Sequence, residues 1–185
     1  MLQMIVFALW FLLPAGLANI APVLSAHLPF LSRFNTPIDY GRSWRGQRLL
    51  GDNKTWRGLM SGIFIATVTL WLQQIATEHT SWAQYAAGSI DYSHLPVLLL
   101  GPLFAIGALG GDAIESFFKR RRGIPSGKAW VPFDQVDYII GTIIITLPFA
   151  LLSAIQYLII LFLWFAIHII VCYIGWRIGL KKEPI

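Results

Sequence analysis

The chain has one cysteine, Cys172, and it lies in an apolar run, which excludes an intramolecular disulfide framework, a zinc cluster and a thioredoxin-type motif. Charge is equally scarce. Only 12% of the 185 residues are Asp, Glu, Lys or Arg, about half the ~25% usual for a soluble domain. There is no Gly-x-Ser-x-Gly elbow and no nucleophile beside a His base, so nothing marks an acyl-transfer triad. No internal repeat, low-complexity tract or linker is present, and the inverted-repeat signal of many secondary transporters is missing. Fourteen Lys and Arg against nine Asp and Glu give a net charge of +5. With a mean hydropathy of +0.64, the basic residues are too few and the apolar runs too long for a nucleic-acid binder. That charge serves membrane orientation, or phosphate. At 20.8 kDa the expected object is one all-α, polytopic membrane domain over residues 1–185.

What is abundant is uncharged length. A helix needs roughly 20 apolar residues to cross about 30 Å of hydrocarbon, and five stretches qualify, at about 2–24, 59–76, 95–118, 137–154 and 157–178. The first contains Pro14, Asn19 and Pro22 and lacks a basic leader or a small-residue cleavage site, so it reads as a retained, bent helix. Tyr138 to Trp176 holds no charged residue and is too long for one span, which predicts two helices joined near Ser153 to Gln156.

The basic residues orient this bundle. All fourteen fall in the loop 25–58, in the loop 119–136 or in the tail, as Arg33, Arg42, Arg45, Arg48, Lys54, Arg57, Lys119 to Arg122, Lys128, Arg177, Lys181 and Lys182. Lys and Arg concentrate on the cytoplasmic side, which predicts an outside N-terminus, a cytoplasmic C-terminus and a cell (inner) membrane location. Trp71 and Trp82 suit the outer interface, and Trp56, Trp130 and Trp176 the inner one.

Orientation does not explain acids beside the bilayer. Asp112, Glu115, Ser116 and Lys119 recur at i, i+3, i+4 and i+7, so one face of an apolar helix carries acid, acid, hydroxyl and base. Asp134 and Asp137 repeat the i, i+3 spacing where the fourth helix starts. Taken singly, Asp134 reads as a helix cap and the others as partners of nearby Lys or Arg. Taken together, two converging acid pairs suit a hard divalent cation such as Mg²⁺, which keeps waters and shares substrate phosphates. No His or Cys joins them, which argues against zinc.

The segment Gly46 to Gly58 supplies complementary charge. Gly51 and Gly58 permit turns, Lys54 and Arg57 are cations, and the second helix starts there with its free N–H groups. It resembles a phosphate cradle, although Asp52 and Asn53 intervene before Lys54-Thr55, so it is not a Walker loop. The alternative is a basic loop touching lipid headgroups. His168 and Gln156 read as interhelical hydrogen-bonding groups, and Gly107, Gly110 and Gly111 either admit a neighbouring helix or break the third helix open.

These residues together resemble the CDP-archaeol synthases. The carriers are Pro14 with Asn19-Ile20-Ala21-Pro22, Pro37-Ile38-Asp39-Tyr40-Gly41, Asn53-Lys54-Thr55-Trp56-Arg57-Gly58, Gly111-Asp112, Ser116-Phe117-Phe118-Lys119-Arg120-Arg121, and Asp134-Gln135-Val136-Asp137 followed by Gly141. The second half is more distantly similar to phosphatidate cytidylyltransferases, with Gln135 where those enzymes have Arg, and Gly127 and Lys128 in a shorter loop.

The resemblance implies an integral-membrane CTP-dependent nucleotidyltransferase of phospholipid biosynthesis. It would move a cytidylyl group to 2,3-bis-O-geranylgeranyl-glycerol 1-phosphate, giving CDP-archaeol and pyrophosphate with Mg²⁺. On that reading Asp112, Asp134 and Asp137 hold Mg²⁺, and Lys54, Arg57, Lys119 and Arg120 face the CTP phosphates and the membrane lipid phosphate. Asn53, Thr55 and Ser116 donate hydrogen bonds, Glu115 supports the metal ligands, and Asp39 is either structural or a nucleotide contact. The expected partners are CTP, the lipid phosphate and the bilayer, with no nucleic acid and with a homodimer left open. Competing readings are the same chemistry on phosphatidate or another alkyl or acyl glycerol phosphate, a small cation transporter, and a non-catalytic lipid-binding scaffold.

Overall fold

The computed structural model describes residues 1–125, 128–180 and 183–184. Gly127, Lys181 and Lys182, which figure in the sequence reading, lie outside the described residues. The described chain is predominantly helical. The long elements are α1 (Leu2–His27), α2 (Trp56–His79), α4 (Val97–Arg121), α5 (Phe133–Thr146) and α6 (Ala154–Arg177), with a short α3 (Ser81–Ala87) and a 3₁₀ turn at Tyr92–His94. A two-stranded antiparallel hairpin, β1 (Ser43–Trp44) and β2 (Gln47–Arg48), interrupts the first long loop.

Composition explains where the helices start. Thr55 caps α2 by accepting the Gly58 N–H at 3.1 Å. Ser153 and Gln156 form a reciprocal capping box on α6, so each satisfies a backbone N–H that has no helical partner. This moves the turn before the last helix to residues 147–153. Gln156 therefore serves as a cap and not as the interhelical group expected of it.

Helices α1, α2, α4 and α6 are long and apolar enough to cross a membrane. Helix α5 has 14 residues and rises only about 21 Å, so its helical part falls short of the 137–154 span read from hydropathy. The region between α2 and α4 also holds the short helix α3. Large apolar side chains such as Phe64, Leu98, Leu151 and Phe162 are exposed on the outside of the bundle, as expected where lipid replaces water.

The interior is held by small residues and by side-chain bonds to backbone. Trp164 lies over Gly16 and donates its indole N–H to Ala8 O at 2.8 Å, locking α6 onto α1. Tyr138 donates to Trp164 O at 3.1 Å, and Gln73 to Trp10 O at 2.7 Å. Such bonds matter where no water competes for buried polar groups.

The closest approach is between α4 and α5. A Cβ built on Gly141 would lie 2.2 Å from Gly107 O, and one on Gly111 would lie 2.2 Å from Asp137 O. The two backbones touch at Gly107, Gly111 and Gly141, a small-x-x-x-small contact that only glycine permits. Of the two roles open to these α4 glycines, close approach is the one adopted at 107 and 111, and the helix runs through unbroken.

Gly111→Ala and Gly141→Ala are expected to lower stability by about 1–3 kcal/mol, because the atom each methyl meets is backbone. Gly110, with nothing within 4 Å of an added Cβ, is the internal control. Thermal melts in detergent should show Gly110→Ala unchanged or slightly raised and the other two lowered.

Candidate functional site

The α4–α5 crossing sets two acidic helix faces against each other. Asp112, Glu115 and Asp137 each present a carboxylate oxygen within 4.8 Å of the others. Glu115 is 8% exposed. Oδ2 of Asp137 is buried and has no hydrogen-bond partner, while its Oδ1 accepts the Tyr138 N–H at 2.5 Å. An orphaned carboxylate oxygen in an all-oxygen cluster fits a hard divalent cation, which attracts oxygen ligands and would satisfy the free lone pairs.

Two lysines bracket the cluster. Lys54 Nζ donates to Asp112 Oδ2 at 2.5 Å. Burial would lower the Lys54 pKa, but the Asp112 carboxylate, together with Asp137 and Glu115, raises it above its ordinary value. Lys119 Nζ donates to both oxygens of Asp134, at 2.6 and 2.7 Å, and lies 3.8 Å from Glu115 Oε1. Asp134 also accepts the Trp130 N–H at 2.7 Å.

The metal set expected from the sequence was Asp112, Asp134 and Asp137. The close cluster instead contains Glu115 in place of Asp134, which Lys119 and the Trp130 amide engage. The reason is helical phase. Asp134 lies in the first turn of α5, level with Lys119, whereas Asp137 sits one turn further in, at the glycine contact. The i, i+3 spacing of Asp112 and Glu115 already carried the signal for Glu115.

Lys54 owes its position to backbone pairing. The Ile38 N–H donates to Lys54 O at 2.8 Å, and the Trp56 N–H donates to Thr36 O at 3.1 Å, so residues 36–38 clamp the strand-like stretch that carries Lys54. Asp39 organises the rest of the loop. Its side chain is 2% exposed and accepts N–H bonds from Gly41 and Leu50 at 3.0 Å and from Gly51 at 3.4 Å, plus Arg48 at 3.0 Å. Burial alone would raise the Asp39 pKa, but the Leu50 and Gly41 amides, the Arg48 guanidinium and the Gly51 amide together bring it below the ordinary value. Its carboxylate oxygens are thus engaged by the loop.

The remaining expected residues are distributed around this core. Ser116 is buried on the acidic face of α4. Thr55, also buried, accepts the Gly58 N–H as the cap of α2. Asn53 precedes Lys54 in the same loop. Arg57 turns away, binding the Asn35 side chain and, at 3.5 Å, Ser32 O. Arg120 lines an open cleft of about 320 Å³ between the residue 47–52 segment and the segment after α4. The sequence reading missed the hairpin and Arg121, which holds it; Trp44, Gly46 and the Phe117 to Arg121 run were the available signals.

The conformation of this loop should depend on Asp39 ionisation. Because its folded pKa lies below the unfolded value, near 3.9, the stabilisation is full above that value and is lost as pH falls through the folded pKa. Asp39→Asn should therefore speed amide hydrogen exchange at Leu50 and Gly51 about tenfold or more at neutral pH. The unsubstituted protein should lose protection only under acid conditions.

A family model described as CarS-like, CDP-archaeol synthase, matches residues 1–185. The chain is 37% identical over 179 residues to the CDP-archaeol synthase of Thermococcus gammatolerans, covering 96% of this chain and 95% of that protein. It is 38% identical over 183 residues to the one from Methanosphaerula palustris, covering 94% and 99%. A solved structure, described as an intramembrane enzyme for archaeal membrane lipids biosynthesis, superposes with a TM-score of 0.72 at 26% identity, covering 89% of this chain and 91% of that one.

Proposed function

The chain belongs to the CDP-archaeol synthase family, and from that premise we infer how its acidic helix crossing works. The protein is a multi-pass membrane enzyme, a CTP-dependent nucleotidyltransferase that makes CDP-archaeol. The acceptor in this reading is 2,3-bis-O-geranylgeranyl-glycerol 1-phosphate, and the second product is pyrophosphate.

The observation that carries the mechanism is the cluster of Asp112, Glu115 and Asp137 between Lys54 and Lys119. A lipid phosphate with a second pKa of about 6 is already anionic at neutral pH, so its oxygen can attack the α-phosphorus of CTP without a general base. The α–β phosphoanhydride bond breaks and pyrophosphate leaves with the electron pair. What the reaction lacks is charge neutralisation and alignment of two anions, and this is what the residues supply.

Asp112, Glu115 and Asp137 would hold Mg²⁺ in this assignment. When bound, Mg²⁺ neutralises phosphate oxygens and stabilises the charge developing on the leaving group. Lys54 sits on a clamped segment against Asp112 and presents its ammonium to the phosphates beside the acids. Lys119 and Arg120 extend that positive edge along α4. Asp134, paired with Lys119, steadies the lysine and the neighbouring Glu115. Asn53 and Ser116 serve as hydrogen-bond donors to the substrates, while Thr55 and Arg57 shape the loop around them.

The described Lys and Arg residues of the loops lie in the segments that flank these acids in the chain, and the positive-inside bias supports a site at the cytoplasmic leaflet of the cell membrane. There soluble CTP and a membrane-held phosphate meet. The short α5 with residues 147–153 completes a fifth span, and the N-terminus lies outside.

Purified protein given Mg²⁺, radiolabelled CTP and the geranylgeranyl-ether glycerol phosphate should move label into the organic phase. Diacyl phosphatidate should move little, and label with phosphatidate alone would overturn the acceptor assignment. Asp112→Asn and Asp137→Asn should each lower turnover roughly 10²-fold or more, with the protein still folded in detergent. Near-full activity in both would refute the metal assignment.

A further inference from the structure

The turn that follows α1 takes no part in the mechanism, yet it is strongly apolar. Leu28-Pro29-Phe30-Leu31-Ser32-Arg33-Phe34 leaves the helix after His27, and Leu28, Phe30 and Phe34 are each more than half exposed. The Leu31 and Ser32 N–H groups donate to Leu28 O at 3.0 and 2.8 Å, and the Phe34 N–H donates to Leu31 O at 3.0 Å. A defined turn thus presents these apolar side chains.

Arg33 sits between the two rings. Its guanidinium carbon lies 4.4 Å from the centroid of Phe30 and 5.4 Å from that of Phe34, and the rings meet edge to face at 5.9 Å. Its Nε donates to Phe30 O at 3.1 Å, while its two terminal nitrogens have no hydrogen bond or ion pair among the described residues. No Asp or Glu precedes Asp39 in the chain, and the Asp39 carboxylate is taken by Arg48 and the loop amides. A guanidinium oriented by ring faces and lacking a protein counter-ion suits an anion with two oxygens, such as a phosphate.

Depth identifies the source of that anion. Helix α1 has 26 residues and is about 39 Å long, roughly 9 Å more than the hydrocarbon it crosses, so its last turn emerges among headgroups. Pro22 gives a second marker. A Cβ on Gly58 would lie 3.0 Å from Pro22 Cβ, and one on Gly62 would lie 2.6 Å from the Leu109 side chain, so the start of α2, Pro22 and Asp112 share one level. His27 is five residues beyond Pro22, about 7 Å further along the axis. An acceptor phosphate must reach the acids; the turn lies outward of them, at the depth of lipids that stay in the bilayer.

We propose that this turn seats in the cytoplasmic headgroup layer, with Phe30 and Phe34 at the acyl boundary and Arg33 holding the phosphodiester of an anionic bilayer lipid. Apolar rings beside a basic group are the pattern that lies in a membrane interface. The seating passes to the loop that carries Lys54 by two routes. Arg57 binds Ser32 O at 3.5 Å and the Asn35 side chain, and the Trp56 and Ile38 N–H groups donate to Thr36 O and Lys54 O. The bound lipid thereby holds the first loop at a fixed height above the acids.

The test is amide hydrogen exchange of the full chain in phosphatidylcholine nanodiscs, with and without phosphatidylglycerol. Exchange at Leu31, Ser32 and Phe34 should slow roughly fivefold with phosphatidylglycerol, and Ile38 and Trp56 should slow by a smaller factor. Arg33→Gln should abolish this dependence and leave exchange within α1 unchanged. Phe30→Leu, which keeps apolar area and removes one ring face, should reduce it. Equal exchange in both membranes overturns the proposal, as does a phosphatidylglycerol effect that survives Arg33→Gln. Slowing by inorganic phosphate in detergent would indicate a site for free phosphate, and slowing by the ether-lipid glycerol phosphate but not by phosphatidylglycerol would indicate the acceptor's entrance; either result overturns it. Protection confined to the turn, with Ile38 and Trp56 unmoved, overturns the link to Lys54. The readout needs no turnover, so it is independent of the nucleotidyl-transfer reading.

Discussion

Everything at the candidate site depends on two helices approaching until their backbones touch. Gly107 and Gly111 on α4 meet Gly141 on α5, and Gly111 also abuts the carbonyl of Asp137. In a lipid environment little hydrophobic force drives helices together, so such contacts depend on packing that larger residues would prevent. The position of this contact along the helices matters as much as its closeness. Asp112 follows Gly111 and Asp137 is one turn before Gly141, so the step that packs the helices also brings their carboxylates together.

Three carboxylates in such a place repel one another, and the fold answers with two lysines rather than with burial alone. Lys54 arrives from the first loop and Lys119 from the same face of α4. Their pairing lowers the cost of charge near the membrane, where an unpaired ion would be expensive. This ties the loop to the bundle: Asp39 gathers the loop, the pairing of residues 36–38 clamps the strand, and Lys54 closes onto Asp112. A chemically useful consequence is that each acid has a cation nearby when two phosphate-bearing substrates arrive.

Much of this is legible in the amino-acid sequence alone. The four long apolar helices, the acidic face of α4 and the second acid pair at the start of α5 all follow from spacing, because helical periodicity is a local property. The length of α5 did not follow. The uncharged run from Tyr138 to Trp176 carries no signal for where a helix pauses, and only the Ser153–Gln156 capping box marks the restart. The exchange of Glu115 for Asp134 in the close cluster likewise depends on the crossing point of two helices, a tertiary fact. The hairpin was hidden because Ser43–Trp44 and Gln47–Arg48 are too short for alternation to show, although Arg45 and Gly46 both adopt positive φ, as a tight two-residue turn requires.

The glycine contact between α4 and α5 is proposed to build a divalent-cation site from Asp112, Glu115 and Asp137. Crystals of the protein grown with Mn²⁺ in place of Mg²⁺ address it most directly, through the anomalous signal of the metal. A peak among those three carboxylates is the predicted result. A peak elsewhere, with Lys54 still bound to Asp112 and the cluster empty, would rule out a metal site at this crossing.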